Sequence, residues 1–138
     1  MLGLGATIVT NKRRITADDF FKGMFETALE PEEIIVKVQF PKDNKEAYAK
    51  FANPASRYAM VGVFVAELSV GSVRVAVTGA GPKVFRVAEM EKALQAKFSA
   101  DAVAGISVSA KNLNSDIHAS PEYRAHLVNV LARRAVAA

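Results

Sequence analysis

The stretch Val61-Gly62-Val63-Phe64-Val65-Ala66-Glu67-Leu68-Ser69-Val70-Gly71-Ser72-Val73-Arg74-Val75-Ala76-Val77-Thr78-Gly79-Ala80-Gly81-Pro82 decides the fold. Residues 61–69 read as one strand and 73–78 as a second, paired antiparallel across the turn Gly71-Ser72. Gly79-Ala80-Gly81-Pro82 closes the run of strands. Upstream, 48–51 has a short β-like pattern, which completes a small antiparallel sheet. Downstream, Val87, Met90, Leu94 and Phe98 recur at helical spacing, while Glu89, Glu91, Lys92 and Lys97 take the other face. A weaker helix is predicted over 100–105. The last helix is the best defined: Ser120 is its N-cap, Pro121 its first helical residue, Glu122 lies near its positive end and Arg133-Arg134 near its negative end. Its predicted apolar face is Tyr123, Leu127, Val130 and Leu131. Strands first and helices afterwards indicate an α+β fold, with an antiparallel sheet of three or four strands packed against about three helices.

A shorter β-rich unit precedes this domain. Residues 6–10 and 14–16 form a hairpin around Asn11-Lys12, and Ala17-Asp18-Asp19-Phe20-Phe21 makes one helical turn capped by Thr16. After the turn at 29–33, a strand over 34–40 places Ile34, Val36, Val38 and Phe40 in alternation with Lys37 and Gln39. Pro41 ends it. Polar residues 42–46 mark the boundary, dividing the chain into 1–42 and 43–138. Strands such as 6–10 and 34–40 belong in a larger sheet, so their apolar faces and open edges are expected to drive self-association.

With 138 residues and 51% hydrophobic content the chain can bury a core. Its longest apolar runs fall short of the roughly 18 residues of a membrane helix. Met1-Leu2-Gly3-Leu4-Gly5 lacks the features of a secretory signal, so a cytoplasmic location is expected. The absence of cysteine excludes disulfides, thiolate nucleophiles and an iron-sulfur cluster on this chain, leaving a bound organic cofactor for any redox role. The charge of +4 comes from 18 basic and 14 acidic residues spread along the sequence, dense only at Lys12-Arg13-Arg14 and Arg133-Arg134. No aromatic-basic interleaving accompanies it, which argues against nucleic acid.

The clusters that suggest chemistry each have a simpler reading. Gly3-Leu4-Gly5 and Gly79-Ala80-Gly81 lack the third glycine of a dinucleotide fingerprint, having Ile8 and Val84 there, and read as turns. Asp116, His118 and Ser120 lie close together, but Ser120 is better used as a helix cap than as a nucleophile. His118 and His126 lack the further ligands of a metal site. Arg57, Arg86 and Arg124 sit among apolar or small residues, where pairing with acids such as Glu67, Glu89 and Glu91 is the expected use of their guanidinium forks.

Three stretches carry a more specific signal. Residues 14–23 (RITADDFFKG) with 27–35 (TALEPEEII), 48–63 (YAKFANPASRYAMVGV) and 115–127 (SDIHASPEYRAHL) resemble, in order and spacing, the C-terminal half of the FAD-carrying medium subunit of molybdenum hydroxylases of the carbon monoxide dehydrogenase and xanthine dehydrogenase family. The resemblance implies that 1–42 is the tail of an FAD-binding domain and 43–138 the flavoprotein C-terminal domain. It implies as partners an iron-sulfur small subunit and a molybdenum-cofactor large subunit that oxidises the substrate; the run lengths and charge pattern above add the expectation of no membrane and no nucleic acid. FAD is the cofactor of the full-length family. Its pyrophosphate is held there by glycine-rich loops in a region preceding the matched one, so this chain alone is expected to bind no FAD tightly and to catalyse nothing. By position in the motif, Ile35 and Lys50 are the residues placed nearest the isoalloxazine. An assembly module that has lost flavin is the alternative.

Overall fold

A computed structural model describes residues 1–42 and 45–138. The central sheet contains β6 (Lys45–Ala52), β7 (Ala59–Glu67), β8 (Val73–Thr78) and the short β9 (Phe85–Arg86), all antiparallel in sequence order. Its register places Ala49, Val63 and Val77 side by side, with Ala47, Val65 and Val75 in the next row. These rows face the helices. They form the main core with Met90 and Leu94 of α2 (Ala88–Ala96), Val103 of a 3-10 turn (Ala100–Val103), and Leu127, Val128, Leu131, Ala132 and Ala135 of α3 (Pro121–Val136). Valine suits this surface because its branched side chain packs well on a pleated sheet.

The opposite face of the sheet is covered in part by the N-terminal unit. There β1 (Thr7–Thr10) lies between β2 (Arg14–Thr16) and β5 (Ile35–Gln39), with the four-residue α1 (Ala17–Phe20) and the hairpin of β3 (Phe21–Gly23) and β4 (Glu26–Thr27) alongside. Thr16 caps α1 as predicted, accepting from the Asp19 amide at 3.3 Å. Leu2, Ala6, Ile8, Ile15, Ala17 and Phe20 form a second, smaller core that also takes in Ala76 of β8. The first strands therefore have a partner surface within the same chain. The entry into β5 does not share it: Ile34, just before the strand, and Val36 within it remain 66% and 65% exposed.

Several details differ from the sequence reading, each for a packing reason. β6 is longer than 48–51 and begins at Lys45, because pairing with β7 continues along its length. The predicted boundary at 42–46 includes Asp43 and Asn44, which lie outside the described residues. The helix beyond Val87 stops at Ala96, leaving Phe98 exposed. Glu91, assigned to the polar face, is buried. On α3 the buried stripe runs through Val128, Ala132 and Ala135 rather than Tyr123 and Val130, since the alanines let the helix lie close to the sheet. Tyr123 instead meets Phe51 edge to face, with ring centroids 6.2 Å apart.

Candidate functional site

Ile35 and Lys50 occupy different sheets. Ile35 starts β5 opposite Thr10, where the register shifts by a bulge, and is 41% exposed. A buried carboxylate holds the turn before it. Glu33 accepts from the Thr10 hydroxyl at 2.7 Å, from Arg13 Nε and Nη2 at 3.0 Å each, and from the Glu30 amide at 2.8 Å. Asn11 extends this clamp by accepting from the Ile34 amide at 2.9 Å. These bonds fix where β5 leaves the turn.

The Arg13 hydrogen bonds first, then those of the Glu30 amide and Thr10, lower the Glu33 carboxyl to a pKa of about 2. A depressed carboxylate stabilises the fold above its unfolded value, about 4.3, and that contribution disappears as pH falls through about 2. Acid titration of the wild type should therefore loosen the 28–35 turn in this window. Glu33→Gln should remove that step, as followed by the chemical shifts of the Glu30 and Ile34 amides. An unchanged acid transition in Glu33→Gln would show that Glu33 is not its source.

Lys50 lies on β6 opposite Gly62, and its ammonium donates to the Arg57 carbonyl at 3.2 Å. Arg57 has φ 63 and closes the 53–58 loop, in which the Asn53 side chain accepts from the Ala55 and Ser56 amides. The side chain of Lys50 is on the face away from the helices, two residues beyond Tyr48 on the same face. Tyr48 lies over Gly62, where a Cβ would overlap its ring and hydroxyl. With Phe64 and Thr78, and with Leu2, Leu4 and Phe21 from the N-terminal unit, Tyr48 lines an apolar crevice of about 280 Å³. Burial pushes the Tyr48 phenol up. Sequence reasoning missed this crevice, although the two-residue spacing of Tyr48 and Lys50 already puts them on one face.

No hydrogen bond or ion pair joins Ile35 to Lys50 among the described residues. They present an aliphatic surface and a cation that could each border a planar, electron-accepting ring. Neither glycine cluster forms a phosphate cradle here. Gly3 packs on the Phe64 ring, Gly5 on the Arg74 guanidinium, and Gly79, at φ 78, against the Ala59 and Met60 carbonyls.

The remaining polar clusters hold structure. Arg124 donates Nη1 to the Met60 and Gly79 carbonyls at 2.7 and 3.1 Å, and Nη2 to Asp116 at 2.7 Å. Asp116 also accepts from the His118 and Ala119 amides, which with Arg124 hold its carboxyl below the usual range despite the opposing effect of burial. Ser120 caps α3 by accepting from the Tyr123 amide at 3.2 Å. The three residues that could be read as a triad are thus a turn and a cap. Arg86 takes Glu91 as its partner, through Nε at 2.8 Å and Nη2 at 2.7 Å.

An antiparallel sheet backed by two helices, with an N-terminal β unit on its other face, defines a layered α+β domain. The chain belongs to the CO dehydrogenase flavoprotein family: residues 46–138 match the CO dehydrogenase flavoprotein C-terminal domain, and residues 1–43 match the FAD binding domain in molybdopterin dehydrogenase. It is 39% identical over 137 residues to the nicotine 6-hydroxylase medium subunit of Paenarthrobacter nicotinovorans, covering 93% of this chain and 48% of that protein. It is 32% identical over 149 residues to the glyceraldehyde dehydrogenase medium chain of Sulfolobus acidocaldarius, covering 98% and 53%. The chain spans about half the length of the curated relatives it matches. The CO dehydrogenase structure from Oligotropha carboxidovorans superimposes with a TM-score of 0.83 at 25% identity, covering 99% of this chain and 53% of that one. Quinoline 2-oxidoreductase from Pseudomonas putida 86, at 24% identity and a TM-score of 0.78 over 99% and 53% of the chains, shares the fold. No helix among the described residues is long and apolar enough to cross a membrane.

Proposed function

We propose that these residues are the C-terminal part of the FAD-carrying, electron-transferring medium subunit of a molybdenum hydroxylase complex, bordering the flavin ring rather than holding its phosphates. The observation that carries this is the 39% identity across nearly the whole chain with a medium subunit. The partners on this reading are an iron-sulfur small subunit and a molybdenum-cofactor large subunit, and the setting is the cytoplasm. FAD, when bound, supplies the two-electron carrier of such a subunit. Ile35 would supply an aliphatic surface to the flavin ring, and the Lys50 ammonium a positive charge that would favour negative charge on it.

The 138 residues alone are expected to bind FAD at millimolar affinity at best. Tight binding draws on amides and charge directed at the pyrophosphate. One buried aliphatic side chain contributes roughly 1.5 to 3 kcal/mol and an exposed charge roughly 0 to 1, before association costs are subtracted. Joining the chain to the first half of a family medium subunit should produce a yellow protein. In that protein, Lys50→Met should lower the flavin midpoint potential by on the order of tens of millivolts. Saturable binding by the 138 residues at low micromolar FAD would overturn the affinity argument. An unchanged potential in Lys50→Met would remove Lys50 from the ring. A joined protein that stays colourless would favour the flavin-free assembly module.

A further inference from the structure

Three cations of the central sheet and its adjoining loop reach across to the N-terminal unit. Arg74 donates to the Leu2 carbonyl and to Asp18 Oδ2, both at 2.7 Å. Arg86 donates Nη1 to Asp18 Oδ1 at 2.9 Å while its other edge is held by Glu91. Lys83 donates to the Phe21 carbonyl at 3.1 Å. On the receiving side Asp18 supplies the charge and the other acceptors are carbonyls. The apolar seam between the units consists of Ala76, buried in the N-terminal core, Val84 at its margin and the Phe64 ring against Gly3. Each unit otherwise has its own core.

We propose that Asp18 is an electrostatic clasp, which by engaging Arg74 and Arg86 together sets how firmly the N-terminal unit sits on the rear of the central sheet. Losing its charge opens this joint ahead of either core. The same joint closes the crevice under Tyr48, since Leu2 and Phe21 form its N-terminal wall. The inference stands apart from the flavin reading, because it concerns only this chain's own contacts.

Burial pushes the Asp18 carboxyl up, but the hydrogen bonds and charges of Arg74 and Arg86 outweigh it and hold the group below its ordinary value. The clasp is thus present at neutral pH and is lost as pH falls through the depressed value. The charged groups around Asp18 are Arg74 and Arg86, with Glu91 behind Arg86, Lys83 across a small separate cleft that Asp18 also lines, and Asp19 alongside, hydrogen-bonded to Thr16. Glu33 is held below its ordinary value as well, so substitution at Asp18 separates the clasp where pH does not.

Amide hydrogen exchange on the full 138-residue chain is the test. Asp18→Asn should speed exchange in β1, β2 and α1 about tenfold, as expected for two partly exposed ion pairs, while β7 and β8 keep wild-type protection. About 1 M salt should move the wild type in the same direction and move Asp18→Asn less, because among the described residues only the Arg13 and Lys12 ion pairs within the N-terminal unit are then left to screen, whereas Asp19→Asn should keep the wild-type response. Asp18→Glu should recover part of the protection. Unchanged N-terminal protection in Asp18→Asn overturns the clasp. So does equal loss in both units, which would make Asp18 a support of the whole fold rather than of the joint.

Discussion

Replacing Arg124 by methionine is expected to lower the unfolding free energy by about 3 kcal/mol, a large share of the roughly 5 to 15 that a domain possesses. Arg124 is 4% exposed, and its guanidinium ties three segments together: the start of β7 through Met60, the end of β8 through Gly79, and the turn before α3 through Asp116. Methionine fills comparable volume but donates nothing, so the Met60 and Gly79 carbonyls lose a charged donor. Lysine, lacking the planar fork, should recover less than half of the loss. Denaturant unfolding followed by far-UV dichroism measures this. A loss under about 1 kcal/mol would mean that solvent reaches these carbonyls and replaces the arginine.

Gly79→Ala should cost about 2 to 4 kcal/mol, for two reasons that a second glycine separates. Gly79 has φ 78, where a side chain costs about 1 kcal/mol. Its Cβ would also overlap the Ala59 carbonyl and lie 2.9 Å from that of Met60, and this backbone cannot yield without moving the start of β7. Gly71 has nearly the same φ, 80, with nothing within 4 Å of an added Cβ. Gly71→Ala should therefore show the conformational cost alone, and the difference between the two variants measures the wedge. Equal losses would exclude the close approach. Because Arg124 also binds the Gly79 carbonyl, the double variant should lose less than the sum of the single ones.

Local chemistry along the chain was enough to place most elements. The Ser120-Pro121 start and arginine end of α3, the Thr16 cap and the Gly71 hairpin are all set by residues within a turn of one another, and each forms as read. The ordered motifs in 14–35, 48–63 and 115–127 likewise pointed to the family, because they record side chains rather than their packing.

What only the tertiary structure decided concerns surfaces that meet from distant parts of the chain. β7 is apolar almost throughout because helices cover one of its faces and the N-terminal unit part of the other, which periodicity alone does not distinguish from a single buried face. Glu91 lies on what looks like a polar helical face, yet Arg86 and the Val75 amide draw its carboxylate inward. Read alone, residues 1–42 need an outside partner for their apolar faces, whereas Ala76, Phe64 and Arg74 of the central sheet supply part of one, leaving open the outer side of β5 and the β3–β4 turn at Met24 and Phe25. Hydrophobic spacing specifies that a face must be covered. It carries no information about which distant segment covers it, because that depends on the shape and charge of both surfaces once each has folded.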